Sequence, residues 1–121
     1  DSAPKAGTLV RLASGLKYVD SKLGGGRAAA RGDKLNVRYT AVTTNSRGEW
    51  YEFDQKNSMY FALGAGEVIS GWDEGLVGMR IRGKRRLIVP PELGYGARGA
   101  GPVLPNATLI FEVTLLNVQA L

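Results

Sequence analysis

The chain contains no cysteine and no histidine. The first absence excludes disulfides, zinc–thiolate sites, iron–sulfur clusters and thiol nucleophiles. It leaves the redox compartment open, since a chain without thiols tolerates any poise. The second absence removes the Ser-His-Asp triad, the commonest metal ligand and the usual general base near neutral pH. Catalysis, if any, must rest on carboxylates, phenols, backbone groups or a dry, shaped pocket. No metal and no cofactor is expected. Apolar runs of about 18 residues, the length that spans a bilayer, are also lacking, so no membrane span is expected. The opening Asp1-Ser2-Ala3-Pro4 shows no basic-then-apolar leader, as in a chain made without one or in a processed form.

What remains is an ordinary globular composition. The chain has 121 residues, a net charge of +5, 44% hydrophobic and 22% charged residues. That is one domain with enough chain to bury a core. Residues 1–14 read as an N-terminal arm, in which Thr8–Leu12 has the makings of a short edge strand. Residues 15–121 read as the domain proper. The 17 glycines and 5 prolines cut the chain into short pieces. The longest stretches free of both are Asp33–Arg47, Glu49–Leu63 and Asn106–Leu121.

These stretches read as strands. Leu35, Val37, Tyr39 and Ala41 alternate with Asn36, Arg38 and Thr40, which is period two with one buried face. Met59, Phe61 and Leu63 repeat the pattern. Arg85–Val89 runs into Pro90-Pro91, where a strand stops. Leu109, Phe111, Val113 and Leu115 fit one strand face, and their β-branched neighbours favour strand over helix. One short helix is expected after Ser70, read as its cap, with Asp73 and Glu74 in the first turn, Trp72 and Leu76 on one face and Gly78 at the end. The fold class is therefore α+β: a twisted antiparallel sheet of about five strands with one short helix between the fourth and fifth.

Four ordered blocks then stand out: Val68-Ile69-Ser70-Gly71-Trp72-Asp73-Glu74-Gly75-Leu76, Gly83-Lys84-Arg85-Arg86-Leu87, Pro90-Pro91-Glu92-Leu93-Gly94-Tyr95-Gly96, and Leu104-Pro105-Asn106-Ala107-Thr108-Leu109-Ile110-Phe111-Glu112-Val113. With Val37–Thr40 and Phe53-Asp54 upstream, they resemble the FKBP-type peptidyl-prolyl cis-trans isomerases over residues 15–118. The resemblance implies a sheet wrapped around a short helix and an aromatic pocket that receives a substrate proline. It implies Trp72 as the pocket floor, with Phe53, Val68 and Phe111 as walls and Val103 and Leu104 nearby. The Ile69 N–H would bind a substrate carbonyl. The Tyr95 hydroxyl would donate to the carbonyl before the proline. Tyr39 and Asp54 would form the polar edge near the rotating carbonyl. It implies proline-containing polypeptides as substrates and rapamycin-type macrolides as ligands.

Each residue also has a plainer reading. Trp72, Tyr39 and Phe111 suit a core, and Asp54 suits a turn. The basic run Arg80–Arg86 reads as a solvated edge, and without an aromatic ladder beside it no nucleic-acid partner is expected. The chain departs from the family where Gln55–Ser58, read as a shortened turn, leads straight to Met59. Met59 stands where an aromatic wall residue is usual, and Lys56 is the candidate partner of Asp54. Thr43–Trp50 reads as an insertion whose Trp50 either packs over the sheet or meets a partner. These features favour a second reading, a weakly active or inactive scaffold module in a larger assembly. Ser14–Tyr18 resembles the opening of several plastid-lumen members, which hints at the thylakoid lumen and leaves a cytosolic or bacterial origin open.

Overall fold

The alternating stretches become strands in a computed structural model that describes residues 5–120. Asp1–Pro4 of the expected arm and Leu121 lie outside the described residues. The strands are β1 (Leu9–Arg11), β2 (Lys17–Lys22), β3 (Lys34–Thr44), β4 (Trp50–Ala62), β5 (Lys84–Val89) and β6 (Leu109–Gln119), with helix α1 (Ser70–Gly75) between β4 and β5. They form one six-stranded sheet in the order β1-β2-β5-β6-β3-β4, and every pairing is antiparallel. The count is six rather than about five because Lys17–Lys22, not read as a strand from the sequence, pairs between β5 and the expected edge strand β1.

The alternation in β3 and β6 decides the core. Leu35, Val37, Tyr39 and Ala41 on β3 are buried with Leu109, Phe111, Val113 and Leu115 on β6. Trp72 on helix α1 and Leu76 just after it pack onto this face. Two glycines let it come close. A Cβ on Gly71 would lie 2.7 Å from Val89 Cγ1, and one on Gly75 would lie 2.8 Å from Leu87 Cδ2. The helix backbone therefore rests directly on β5. Gly75→Ala should destabilise the fold by about 1–3 kcal/mol through overpacking, read as a lower midpoint in urea unfolding.

The structure corrects four details. Ser70 is the first helical residue; Ile69 holds the cap position, and no side chain caps the helix. The helix ends at Gly75, before Gly78, because the Gly78 N–H is drawn to Ala29 O at 2.8 Å. Thr43–Trp50 supplies the ends of β3 and β4 and the hairpin turn between them, in which Asn45 Oδ1 accepts from Arg47 N at 2.9 Å and Glu49 N at 3.0 Å. Trp50 is 53% exposed and does not pack over the sheet.

Arg85 departs from the solvated-edge reading. It is 4% exposed. Its guanidinium donates to both Asp20 carboxylate oxygens, at 2.7 and 3.0 Å. It also donates to Gly75 O at 2.7 Å and Val77 O at 3.0 Å. Its planar group lies 3.9 Å from the Tyr18 ring centre. One cation thus ties β2 and β5 to the end of α1. Its neighbour Arg86 pairs with Glu112 across the strands. Among the described residues, no helix is long and apolar enough to cross a membrane.

Candidate functional site

Two bulges in β4 shape a cavity. Consecutive strand residues normally point to opposite faces, yet Phe53 and Asp54 line the same space. The register explains this: Ala41 faces Asp54 and Val42 faces Glu52, so Phe53 is an extra residue. A bulge of this kind turns neighbouring side chains toward one side. A second shift lies between the pairs Tyr39–Lys56 and Val37–Met59. It switches the inward phase of β4 from even to odd positions, which brings Met59 and Phe61 inward. Gln55–Ser58 is therefore strand with a bulge, and the shortened turn is not found. Its polar residues are exposed because β4 is an edge of the sheet.

The cavity has a volume of about 370 Å³. Tyr39, Phe53, Asp54, Met59, Val68, Ile69, Trp72, Tyr95 and Phe111 all line it, joined by Gly66 and Glu67. Val103 is buried beside Phe53, Asp54 and Tyr95 in an adjoining cavity. Leu104 lines neither cavity and is 38% exposed. Its side chain faces outward next to the buried Val103, so the structure does not bring it to the site.

Trp72 forms the floor at 3% exposure. Its ring meets Tyr39 edge-on at 4.9 Å and Phe111 edge-on at 5.4 Å, and Phe61 at 5.5 Å. Such pairs add about 0.5–1.5 kcal/mol each beyond burial. Core packing and pocket floor are thus one role here. The Trp72 Nε1 is buried with no hydrogen-bond partner among the described residues. The loop above the floor is held from the helix: Asp73 accepts from Gly64 N at 2.7 Å and Gly66 N at 3.0 Å. Glu67 accepts from Ala62 N at 3.0 Å. Neither Gly66 nor Glu67 was read as a site residue, because loop positions carry no periodic signal. Ile69 O accepts from Trp72 N at 2.9 Å, while the Ile69 N–H finds no protein acceptor among the described residues.

The polar edge is a donor–acceptor chain. The Tyr39 hydroxyl donates to Asp54 Oδ2 at 2.6 Å, and Asp54 Oδ1 accepts from Gln55 N at 2.8 Å. Among the described residues no Lys or Arg reaches within ion-pair distance of Asp54, so Lys56 does not partner it. Burial first, then the bond to Asp54, raises the Tyr39 phenol well above its ordinary range. Burial first, then the Asp54 charge, raises Tyr95 as well. Both hydroxyls stay protonated as donors. The phenolate is disfavoured in the fold, so the stability these groups hold is full below the ordinary phenol value of 10.0 and is lost as pH rises beyond it. Unfolding midpoints should therefore show no loss from these groups up to about pH 9 and a decline above about pH 10.

Comparison with known proteins decides what this pocket belongs to. A family model described as FKBP-type peptidyl-prolyl cis-trans isomerase matches residues 25–116. The chain belongs to this family. The FK506-binding protein of Neisseria meningitidis serogroup B is 47% identical over 105 residues, which cover 86% of this chain and 96% of that protein. FK506-binding protein 4 of Neurospora crassa is 41% identical over 116 residues, 95% of this chain. The chain spans only 24% of that longer protein's length. The crystal structure of AtFKBP13 superposes with a TM-score of 0.81 at 32% identity, covering 93% of this chain and 99% of that one. The six-stranded sheet with one short helix is the architecture that this family structure shares.

Proposed function

We propose that the chain is a peptidyl-prolyl cis-trans isomerase acting on X-Pro bonds of polypeptides as a folding helper. The observation that carries this reading is the aromatic cavity with free donors at its rim: the Ile69 N–H, and the Tyr95 hydroxyl, which finds no acceptor among the described residues. The chemistry suits a chain without histidine or cysteine. Rotating a peptide bond breaks no σ bond; the barrier of about 18–20 kcal/mol is lost amide resonance. A thousandfold acceleration needs only about 4 kcal/mol. A dry pocket favours the less polar twisted amide, and oriented hydrogen bonds supply the rest. In this reading Trp72 lies under the pyrrolidine ring, and Phe53, Met59, Val68 and Phe111 wall it. The Ile69 N–H and Tyr95 hydroxyl bind substrate carbonyls. The Tyr39–Asp54 pair sits at the rotating group. Isomerisation of a short X-Pro peptide tests the proposal: acceleration over the uncatalysed rate supports it, and a background rate with a folded chain refutes it.

The same pocket is proposed to bind rapamycin-type macrolides. Met59 replaces an aromatic wall, and one aromatic contact is worth about 0.5–1.5 kcal/mol, or about two- to twelvefold in affinity. Met59→Phe should tighten macrolide binding by that factor, followed by Trp72 fluorescence. Met59 and an Asp54 with no ion-pair partner among the described residues also favour the second reading, a scaffold module within an assembly. If Met59→Phe tightens macrolide binding while both chains leave the peptide at its background rate, that reading replaces the first. The thylakoid lumen is proposed from Ser14–Tyr18 alone, and imaging of the tagged protein tests it.

A further inference from the structure

The far end of the β3–β4 hairpin reaches the other side of the pocket through two side chains. Thr43 and Tyr51 are cross-strand partners. The Thr43 hydroxyl donates to Thr108 O at 3.0 Å, and the Tyr51 hydroxyl donates to Pro102 O at 2.6 Å. Pro102 stands in a tight reverse turn. Ala100 N donates to Val103 O at 3.0 Å, and Val103 N donates to Ala100 O at 2.8 Å. Gly99 allows it: φ is +67°, and a Cβ there would lie 2.3 Å from Val103 O. The turn is closed on itself, and the hydrogen bond from the Tyr51 hydroxyl joins its tip to the hairpin.

Between turn and hairpin lies a cavity of about 290 Å³. Phe53, Asp54 and Tyr95 line both this cavity and the larger one, so the two form one groove. Its other walls are Ala100, Gly101, Pro102 and Val103, which carry no charge. We propose that Tyr51 is a positioning residue that braces this turn and thereby maintains an apolar subsite for the side chain of the residue preceding the substrate proline. The proposal rests on the isomerase reading for its orientation, because Tyr95, shared by both cavities, is there assigned to the carbonyl before the proline. Tyr51 touches no reacting atom; it acts through Pro102.

The test compares the whole chain with Tyr51→Phe, which removes only the hydroxyl. Two peptides are used, identical except for Phe or Ala before the proline. Their Kd values are read from Trp72 fluorescence, and kcat is measured beside them. A lost hydrogen bond of ordinary strength predicts a Kd about three- to tenfold higher for the Phe-Pro peptide. The Ala-Pro peptide should change by less than about twofold, and kcat and the melting temperature should hold. An equal change for both peptides, or none, overturns the proposal, as does a loss in kcat alone. Because Kd needs no turnover, a chain that binds both peptides and isomerises neither would refute the isomerase reading, while the Kd comparison still decides on Tyr51.

Discussion

Arg85→Ala should lower stability by about 3–5 kcal/mol, the cost of breaking a buried ion pair from one side. For a domain of 121 residues that is a fall in melting temperature on the order of 10–20 °C. The reason is what is left behind. The Asp20 side chain is only 13% exposed and loses its bidentate partner. The carbonyls of Gly75 and Val77 lose their donor at the end of α1, where helix carbonyls are already without intrahelical partners. Lysine should not rescue, since one ammonium cannot reproduce a planar fork that serves a carboxylate and two carbonyls at once. Scanning calorimetry of the wild type, Arg85→Ala and Arg85→Lys checks this. A shift of a few degrees in Arg85→Ala would show that the network contributes little net stability.

Asp54→Ala is expected to do the opposite: to spare stability and damage catalysis. Asp54 is exposed at the pocket rim, and exposed charges contribute little to folding. Its carboxylate nevertheless accepts from the Tyr39 hydroxyl and from Gln55 N. Hydrogen bonds to a charged group are worth about 1.5–3 kcal/mol. If that interaction orients the polar edge in the transition state, kcat/KM for an X-Pro peptide should fall about ten- to a hundredfold. The melting temperature should stay within a few degrees. Tyr39→Phe should reproduce part of the loss, because it removes the other end of the same bond. A large drop in melting temperature with unchanged kcat/KM would make Asp54 structural.

The contrast between these two residues follows where the pattern in the chain is readable. Alternation in Lys34–Thr43 and Leu109–Leu115 was enough to place β3, β6 and the buried face, because an inner strand covered on one side must repeat with period two. The ordered blocks around Trp72, Tyr95 and Phe111 carried the family and nearly all of the pocket. Edge and loop positions were different. Gln55–Ser58 looked like a turn because an edge strand exposes its polar residues, and a bulge breaks the very alternation that would have marked it as strand.

By itself, then, the sequence determined the inner strands β3, β5 and β6, the short helix and the kind of pocket, since burial and glycine spacing act locally along the chain. Tertiary structure alone decided the rest. Only folding could show that Arg85 is the buried member of a basic run, because its partner Asp20 is 65 residues away. Only folding could aim Phe53 and Asp54 at the same space, turn Leu104 away from it, and bring Tyr51 to Pro102 across 51 residues. Each of these depends on register between strands distant in sequence, and a one-residue shift in register reverses which face a side chain meets.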